Sequence, residues 1–346
     1  MKISEVRPTR KDEWNRFVRK HYPPVGAFMQ TWEWGTFQEK LGKKAERYFV
    51  AESREPIAAF TLVHHALPFG FSYGYVPRGP VIASPMSGKG NPTEIFSAIR
   101  AWAAQNFPRL IFVRLEPPLS SFASGLREHG FSLPPYYVQP RYNLVIPLKQ
   151  AEEDILAHFH PTTRSNIRRA EKRGASVILR RGITEREYGE FFSMIRDTIR
   201  RNSGKNAYPS RSYFHSLVNA IPPVKETYDS HELSLGIFCG YEHGAPASTH
   251  FVLFFGGTAT YLHGASYTRA LSSKITTYLH WAAMREAKRR GMRFYDLGGI
   301  DEKLWPTLTS FKRQFRGEEH AYAGNLDIPI RPALYRTYNI LRGMIR

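Results

Sequence analysis

Residues 293–315, RFYDLGGIDEKLWPTLTSFKRQF, join an apolar strand to a lysine set between two phenylalanines. Arg293-Phe294-Tyr295-Asp296 has the make-up of a short strand, and Gly298-Gly299 ends it with residues that permit a sharp turn or a close approach to a ligand. A site is expected at that strand end. Downstream, Phe311 and Phe315 stand four residues apart, on one helical face, with Lys312 beside them. Such spacing either leaves a solvated lysine lying over apolar surface or holds an ammonium against apolar walls, and by itself it leaves both open.

Upstream of this stretch, the chain runs twice through one order of elements. Residues 47–51 read as a strand that turns at 53–56 into an apolar strand at 57–63, followed by a strand at 71–76. A helix carries Ile95, Ile99 and Trp102 at helical spacing, and Leu110-Ile111-Phe112-Val113 reads as a buried strand. In the second half, strands at 233–239 and 246–255 flank a turn at Glu242-His243-Gly244, and Gly256-Gly257 marks a hairpin into 258–263. Ile275, Tyr278, Leu279 and Ala282 mark a helix ending near Gly291, and 293–297 is the last strand. Thr184 and Glu187 form a capping box for a helix over 185–201, and the first half is expected to have a counterpart around 12–20. These patterns predict α/β domains with mixed sheets and helices on their faces.

With 346 residues, two domains are the default. The single cysteine, Cys239, excludes an intrachain disulfide and a cysteine-based zinc site. His64-His65 and His158-x-His160 have no carboxylate at a ligand spacing, so no metal is read. The start of the chain lacks the apolar core of a signal peptide, and no apolar run reaches the ~20 residues that span a bilayer, so the protein is read as cytoplasmic and monomeric. A net charge of +19 attracts polyanions: nucleic acid, anionic lipid or nucleotide diphosphates. The excess concentrates at 164–181 and 331–346. The latter run forms an amphipathic helix with Leu334, Tyr338 and Leu341 on one face. That face packs on the N-terminal domain or, as an alternative, rests peripherally on anionic membrane at its inner face.

The 293–315 stretch resembles the C-terminal block of the Fem-type peptidoglycan peptidyltransferases, in which a tyrosine-aspartate strand, a glycine turn and a Phe-Lys-x-x-Phe helix follow one another. Three more blocks resemble the same family in the same order: Gln30-Thr31-Trp32-Glu33-Trp34-Gly35, Pro77-Arg78-Gly79-Pro80-Val81, and the basic run 163–174. Together they span nearly the whole chain. The resemblance implies two tandem domains of the N-acetyltransferase (GNAT-like) fold, the second inserted in the first, placed here at 1–148 plus 323–346 and at 149–322. With no heptad pattern over 202–233, the chain resembles the short, arm-less type.

The family's activity, as the resemblance implies it, is transfer of an amino acid from aminoacyl-tRNA to the stem-peptide amine of a UDP-linked or lipid-linked muramyl peptide precursor, without a further cofactor. Lys312 matches the lysine that stabilises negative charge near the reacting ends, with Phe311 and Phe315 shaping its pocket. Arg211 and Tyr213 match residues that contact the diphosphate and sugar of the precursor, and Tyr261 matches a tyrosine facing the same ligand. Arg78 belongs to the second block and is assigned to substrate binding. Gln38 stands where the family has a phosphate-binding lysine, with Lys40 nearby, and Arg316-Gly317 replaces a Gly-Gly pair. Glu116 matches an acidic position that takes a proton or orients the stem peptide, with Asp296 and Asp301 as alternatives.

Two competitors remain. A coenzyme A-dependent N-acyltransferase would need a glycine-rich loop at a helix N-terminus to cradle the pyrophosphate, and 266–274 has no such glycines. A non-catalytic nucleic-acid-binding protein would keep the fold and the basic surface without using Lys312.

Overall fold

The computed structural model describes all residues except 24, 84–89, 119–128, 135, 202–207, 228 and 345–346. The chain forms two compact units, one of residues 1–141 and 321–346, the other of 142–320. The first runs β1 (Lys2–Glu5), α1 (Lys11–His21), α2 (Trp32–Lys40), β2 (Ala45–Glu52), β3 (Glu55–Ala66), β4 (Ser72–Val76), β5 (Val81–Ile82), α3 (Pro92–Asn106) and β6 (Leu110–Leu115). The second holds β7 (Tyr142–Pro147), α4 (Glu152–His158), α5 (Pro161–Lys172), β8 (Ala175–Arg180), α6 (Glu185–Arg201), α7 (Arg211–Ala220), β9 (Ser234–Glu242), β10 (Ala245–Phe255), β11 (Thr258–Ser266), α8 (Ile275–Arg289), β12 (Phe294–Ile300), α9 (Pro306–Arg313) and β13 (Glu318–Ala321). The chain then returns to the first unit with β14 (Leu326–Pro329) and α10 (Pro332–Met344).

Each sheet is mixed. The first has the order β1-β2-β3-β4-β6-β14 with β5 on β3, the second β13-β7-β12-β11-β10-β9-β8. In both, antiparallel strands lead to one parallel pair, β4 with β6 and β11 with β12. Parallel neighbours need a crossover, which α3 and α8 supply. A strand antiparallel to the last parallel one then follows in each sheet, β14 against β6 and β7 against β12, with β13 beyond β7 at the edge of the second. The repeat read from the sequence is therefore a repeat of topology.

The boundaries differ from those expected. Residues 142–147, assigned to the first domain by a division at 148, pair with β12 as Tyr295↔Ile146 and Asp296↔Val145, so the second unit starts at 142. The return falls at 321 rather than 323. The capping box is formed, with Thr184 N–H on Glu187 Oε2 at 2.9 Å and Glu187 N–H on Thr184 Oγ1 at 3.3 Å. In the C-terminal helix, Leu334 and Tyr338 pack as expected with Phe112 and Tyr335, whereas Leu341 is 55 % exposed, off the packed face.

The first two family-like blocks prove to be scaffolding of the first unit. Gln30 is fully buried, donates from Nε2 to the Pro77 carbonyl at 2.5 Å and accepts from Thr61 N–H at 2.9 Å, tying the two blocks to β3. Gly35 leaves room for the Arg47 guanidinium, which lies 4.1 Å over the Trp32 ring; a Cβ there would collide with it. The Trp14 indole donates to Gln30 O at 2.7 Å. A buried amide with both ends engaged specifies one chain path, since leaving either unpaired costs about 1–3 kcal/mol.

Candidate active site

In the second unit, the pairing of β11 with β12 stops at Thr260↔Asp296, and β12 bulges between Asp296 and Gly299. The strands part there, and Lys312 of α9 enters the gap. Its ammonium donates to the Gly299 carbonyl at 2.7 Å, and the residue is only 4 % exposed. The solvated alternative is thereby excluded. Burial pulls the Lys312 pKa down to about 8, with the Asp296 carboxylate opposing the shift. Asp296 is itself fully buried and accepts from Asn143 Nδ2 at 2.9 Å and from Gly298 N–H at 2.7 Å. It holds the bulge and supplies negative charge; its engaged oxygens do not fit the alternative role of base. Asp301 likewise receives the N–H groups of Lys303 and Leu304 and shapes the turn into α9.

Phe311 and Phe315 meet edge to face at 5.6 Å, but not as two positions of one helix. α9 ends at Arg313; Arg316 adopts φ 51 and Phe315 drops fully buried into the core. Gly317 is required here, because a Cβ at 317 would stand 2.7 Å from Val145 O and from Ile146 Cδ1, while Arg316 takes the left-handed conformation in place of the family's first glycine. Gly298, at φ 78, has room for a Cβ only 3.3 Å from Tyr261 O and 3.6 Å from Lys312 Nζ. Gly298→Ala is expected to cost about 1–2 kcal/mol in backbone strain, with the added methyl crowding Tyr261 O at 3.3 Å; a urea titration reads the loss.

Two histidines that the sequence reading missed line this site. His250 on β10 and His280 on α8, each 1 % exposed, lie tilted against each other with ring centroids 4.4 Å apart; Tyr261 packs on both rings, and His280 meets Phe311 at 5.8 Å. His280 Nδ1 is 3.1 Å from the Tyr295 hydroxyl. Burial, with His250 and Lys312 close by, drives the His280 pKa well below the ordinary imidazole value, and burial lowers His250 to about 3. Both rings are therefore neutral at physiological pH and add no positive charge beside the ammonium. The signal was present: each histidine interrupts an apolar run on the buried face of its element.

Tyr213 lies on α7 and its hydroxyl is 3.1 Å from His263 Nε2 on β11, two residues beyond Tyr261. Arg211 opens the same helix, exposed, over the Phe192 ring at 5.2 Å and 3.4 Å from Glu185. A cavity of about 490 Å³ lies along α9 through His160, Ser310 and Arg313 rather than Lys312. Glu302 and Glu319 pair with its Arg313.

The remaining candidates belong to the first unit, where the structure gives them other tasks. Glu116 is buried and accepts from Tyr75 OH at 2.7 Å, Gln139 N–H at 3.1 Å and Arg78 N–H at 3.2 Å. Three protein donors leave it a latch for the 77–80 turn and not a free base. Arg78, also buried, donates to Pro140 O at 2.7 Å and stacks 3.3 Å over the Tyr322 ring, so its guanidinium is spent on the fold instead of presented to a ligand. Gln38 is buried and accepts from Lys43 Nζ at 3.3 Å, which places a half-buried cation beside it at 43 instead of 40. Of the histidine pairs, His64 meets Glu46 at 2.7 Å, His65 stacks on Tyr73, His158 meets Arg316 O and His160 caps α5.

A model of the FemAB family matches residues 9–125, 122–223 and 237–342. The lipid II:glycine glycyltransferase of Staphylococcus haemolyticus (strain JCSC1435) is 21% identical over 402 aligned positions, 94% of this chain and 92% of that one. A protein of the same name from Staphylococcus aureus is 25% identical over 220 positions, 60% of this chain and 50% of its own length. Among solved structures, the crystal structure of FemX superposes with a TM-score of 0.78 at 18% identity, covering 97% of this chain and 99% of that one. The tandem GNAT protein from the clavulanic acid biosynthesis pathway follows at 0.57 and 11% identity, covering 95% and 98%. These structural likenesses establish the tandem acetyltransferase-like architecture that the parallel strand pairs imply. With the family model covering nearly all of the chain from 9 to 342, the protein belongs to the FemAB family.

Proposed function

We propose that this FemAB-family transferase moves an amino acid from aminoacyl-tRNA onto the stem-peptide amine of a peptidoglycan precursor. The observation that carries the reading is the Lys312 ammonium, buried where β11 and β12 part. The relatives named as lipid II:glycine glycyltransferases support the reaction class. The donor ester is already activated, so the task is to orient two reactants and stabilise charge. The amine nitrogen attacks the ester carbonyl, and Lys312 stabilises the oxyanion. The bond to the ribose oxygen then breaks, and the proton lost by the amine ends on that leaving oxygen. Phe311 and the neutral His250–His280 pair keep the ammonium's surroundings poor in water and add no further positive charge, while Asp296 is its buried counter-charge. Tyr213, Tyr261 and Arg211, all of the second unit, are assigned to the precursor.

α5 turns Thr163, Ile167 and Ala170 inward and leaves Arg168, Arg169, Lys172 and Arg173 exposed around a single Glu171, a surface suited to an RNA backbone. The test is incubation of the protein with pooled labelled aminoacyl-tRNAs and, separately, nucleotide-linked and lipid-linked precursors, with mass spectrometry of the acceptor. One added amino-acid mass on the stem peptide is the expected result. Acylation only from coenzyme A thioesters, or RNA binding without any transfer, would overturn the proposal.

A further inference from the structure

Among the described residues, α10 is held by one side only. Leu334, Tyr335 and Tyr338 pack with Ile111 and Phe112 of β6 and with Leu67, Phe71 and Tyr73 of the β3–β4 hairpin. Its other side carries Ala333, Arg336, Thr337, Ile340 and Leu341 into solvent, the two large aliphatic residues at 60% and 55% exposure. A helix that merely covers a sheet carries polar residues there. No Asp or Glu occurs anywhere in residues 331–346.

The hairpin whose base shares this cluster ends in Pro68-Phe69-Gly70. Phe69 is 94% exposed and adopts φ 61, a left-handed conformation that is rare for a bulky residue, so the strained turn holds a bare phenyl ring in water. The Arg109 guanidinium lies against Gly70, and residues 64–75 contain no acidic side chain. Two exposed apolar features, each beside an arginine and without acidic neighbours in sequence, thus rise from one packed cluster of the first unit.

We propose that Phe69 and the outer side of α10 form a docking surface for an anionic lipid bilayer. Phenyl and aliphatic side chains enter the boundary between headgroups and acyl chains, and Arg336 and Arg109 meet lipid phosphates. RNA would use the arginines but has no place for Ile340 and Leu341. A second copy would bring Arg336 against its own symmetry mate without an acidic partner in the helix. The inference does not rest on the aminoacyl-transfer reading.

The test is co-sedimentation of the full chain with large unilamellar vesicles of phosphatidylglycerol and phosphatidylcholine, 1:1, against phosphatidylcholine alone. The protein is expected to bind the mixed vesicles, with at least tenfold weaker partitioning to the neutral ones. Ile340→Ser with Leu341→Ser, and separately Phe69→Ser, should each weaken binding at least about fivefold while the melting temperature holds, because none of the three supports the core. Arg336→Glu should weaken it only toward the mixed vesicles. Absence of vesicle binding, equal binding to both compositions, or binding unchanged in all these variants would overturn the proposal. So would a dimer in sedimentation equilibrium that the double serine variant converts to monomer.

Discussion

Lys312→Met is expected to lower aminoacyl transfer by about 100-fold or more and, at the same time, to make the protein more stable at pH 7. The loss follows from removing the charge that faces the developing oxyanion; deleting one such donor in a water-poor site costs about 100–1,000-fold. RNA affinity should be unchanged, since the ammonium is buried under the strand end and not on the basic surface. The gain follows from the burial. With a folded pKa of about 8 against an ordinary 10.5, the fold carries a protonated amine that it disfavours. Below pH 8 both folded and unfolded chains hold the proton, and the cost of burying the ammonium is borne in full, about 3 kcal/mol at most. Between 8 and 10.5 the unfolded chain binds more protons than the folded one, so wild-type stability rises with pH in that window. Methionine fills similar space without charge but strands the Gly299 carbonyl, which returns about 1–2 kcal/mol of the gain. Urea midpoints at pH 7 and pH 9.5 should therefore separate the variant from the wild type at the lower pH and bring them together at the higher. Transfer that survives in Lys312→Met would sink the site assignment, and a variant less stable at pH 7 would sink the electrostatic account.

Asp327→Ala should be the most damaging change to the fold, at about 3–5 kcal/mol. Asp327 on β14 takes Nε and Nη2 of Arg114 on its two oxygens, both at 2.7 Å, and the Tyr335 hydroxyl at 2.8 Å. The paired side chains are 1% and 0% exposed, and Tyr136 also engages the guanidinium. Alanine at 327 leaves that guanidinium buried without its counter-ion, and α10 loses the hydrogen bond from Tyr335. Urea unfolding followed by tryptophan fluorescence should show an early transition belonging to the first unit. A loss below about 1 kcal/mol would show that water replaces the carboxylate. Arg114→Met combined with Asp327→Leu should recover most of the loss, because the attraction between buried ions roughly offsets their dehydration.

The central strands β2, β3, β4, β6, β9, β10, β11 and β12 were legible because apolar runs and glycine turns are local, whereas β1, β5, β7, β8, β13 and β14 went unread. Residues 142–147 were left in the first domain, since a strand's partner is fixed by pairing across the chain. Phe315 was placed on the helix of Phe311 because spacing cannot show that Arg316 takes a left-handed turn and ends it. Lys312 was singled out by its match to the family's Phe-Lys motif, yet its burial depends on the parting of β11 and β12, which no short-range pattern encodes. Glu116, Arg78 and Gln38 were named because they stand at positions of the family's blocks, and a position in a block does not show what the side chain touches. Whether such a side chain is spent on a neighbour is decided by contacts such as Gln139 N–H, Pro140 O and Lys43 Nζ. His250 and His280 went unread for the opposite reason: a histidine on a buried face reads as core until a second one is found packed against it.

The return of the chain to its first unit also sets an order of assembly on the ribosome. Residues 142–320 are contiguous and can close their sheet as soon as they emerge. The first unit cannot: the outer edge of β6 stays unpaired until Leu326–Pro329, made only after the whole second unit, leaves the exit tunnel. The usual sequence, N-terminal domain first, is thus reversed. For most of synthesis the nascent chain carries an open edge strand with an unmatched Arg114, a state that a premature stop before 326 would make permanent.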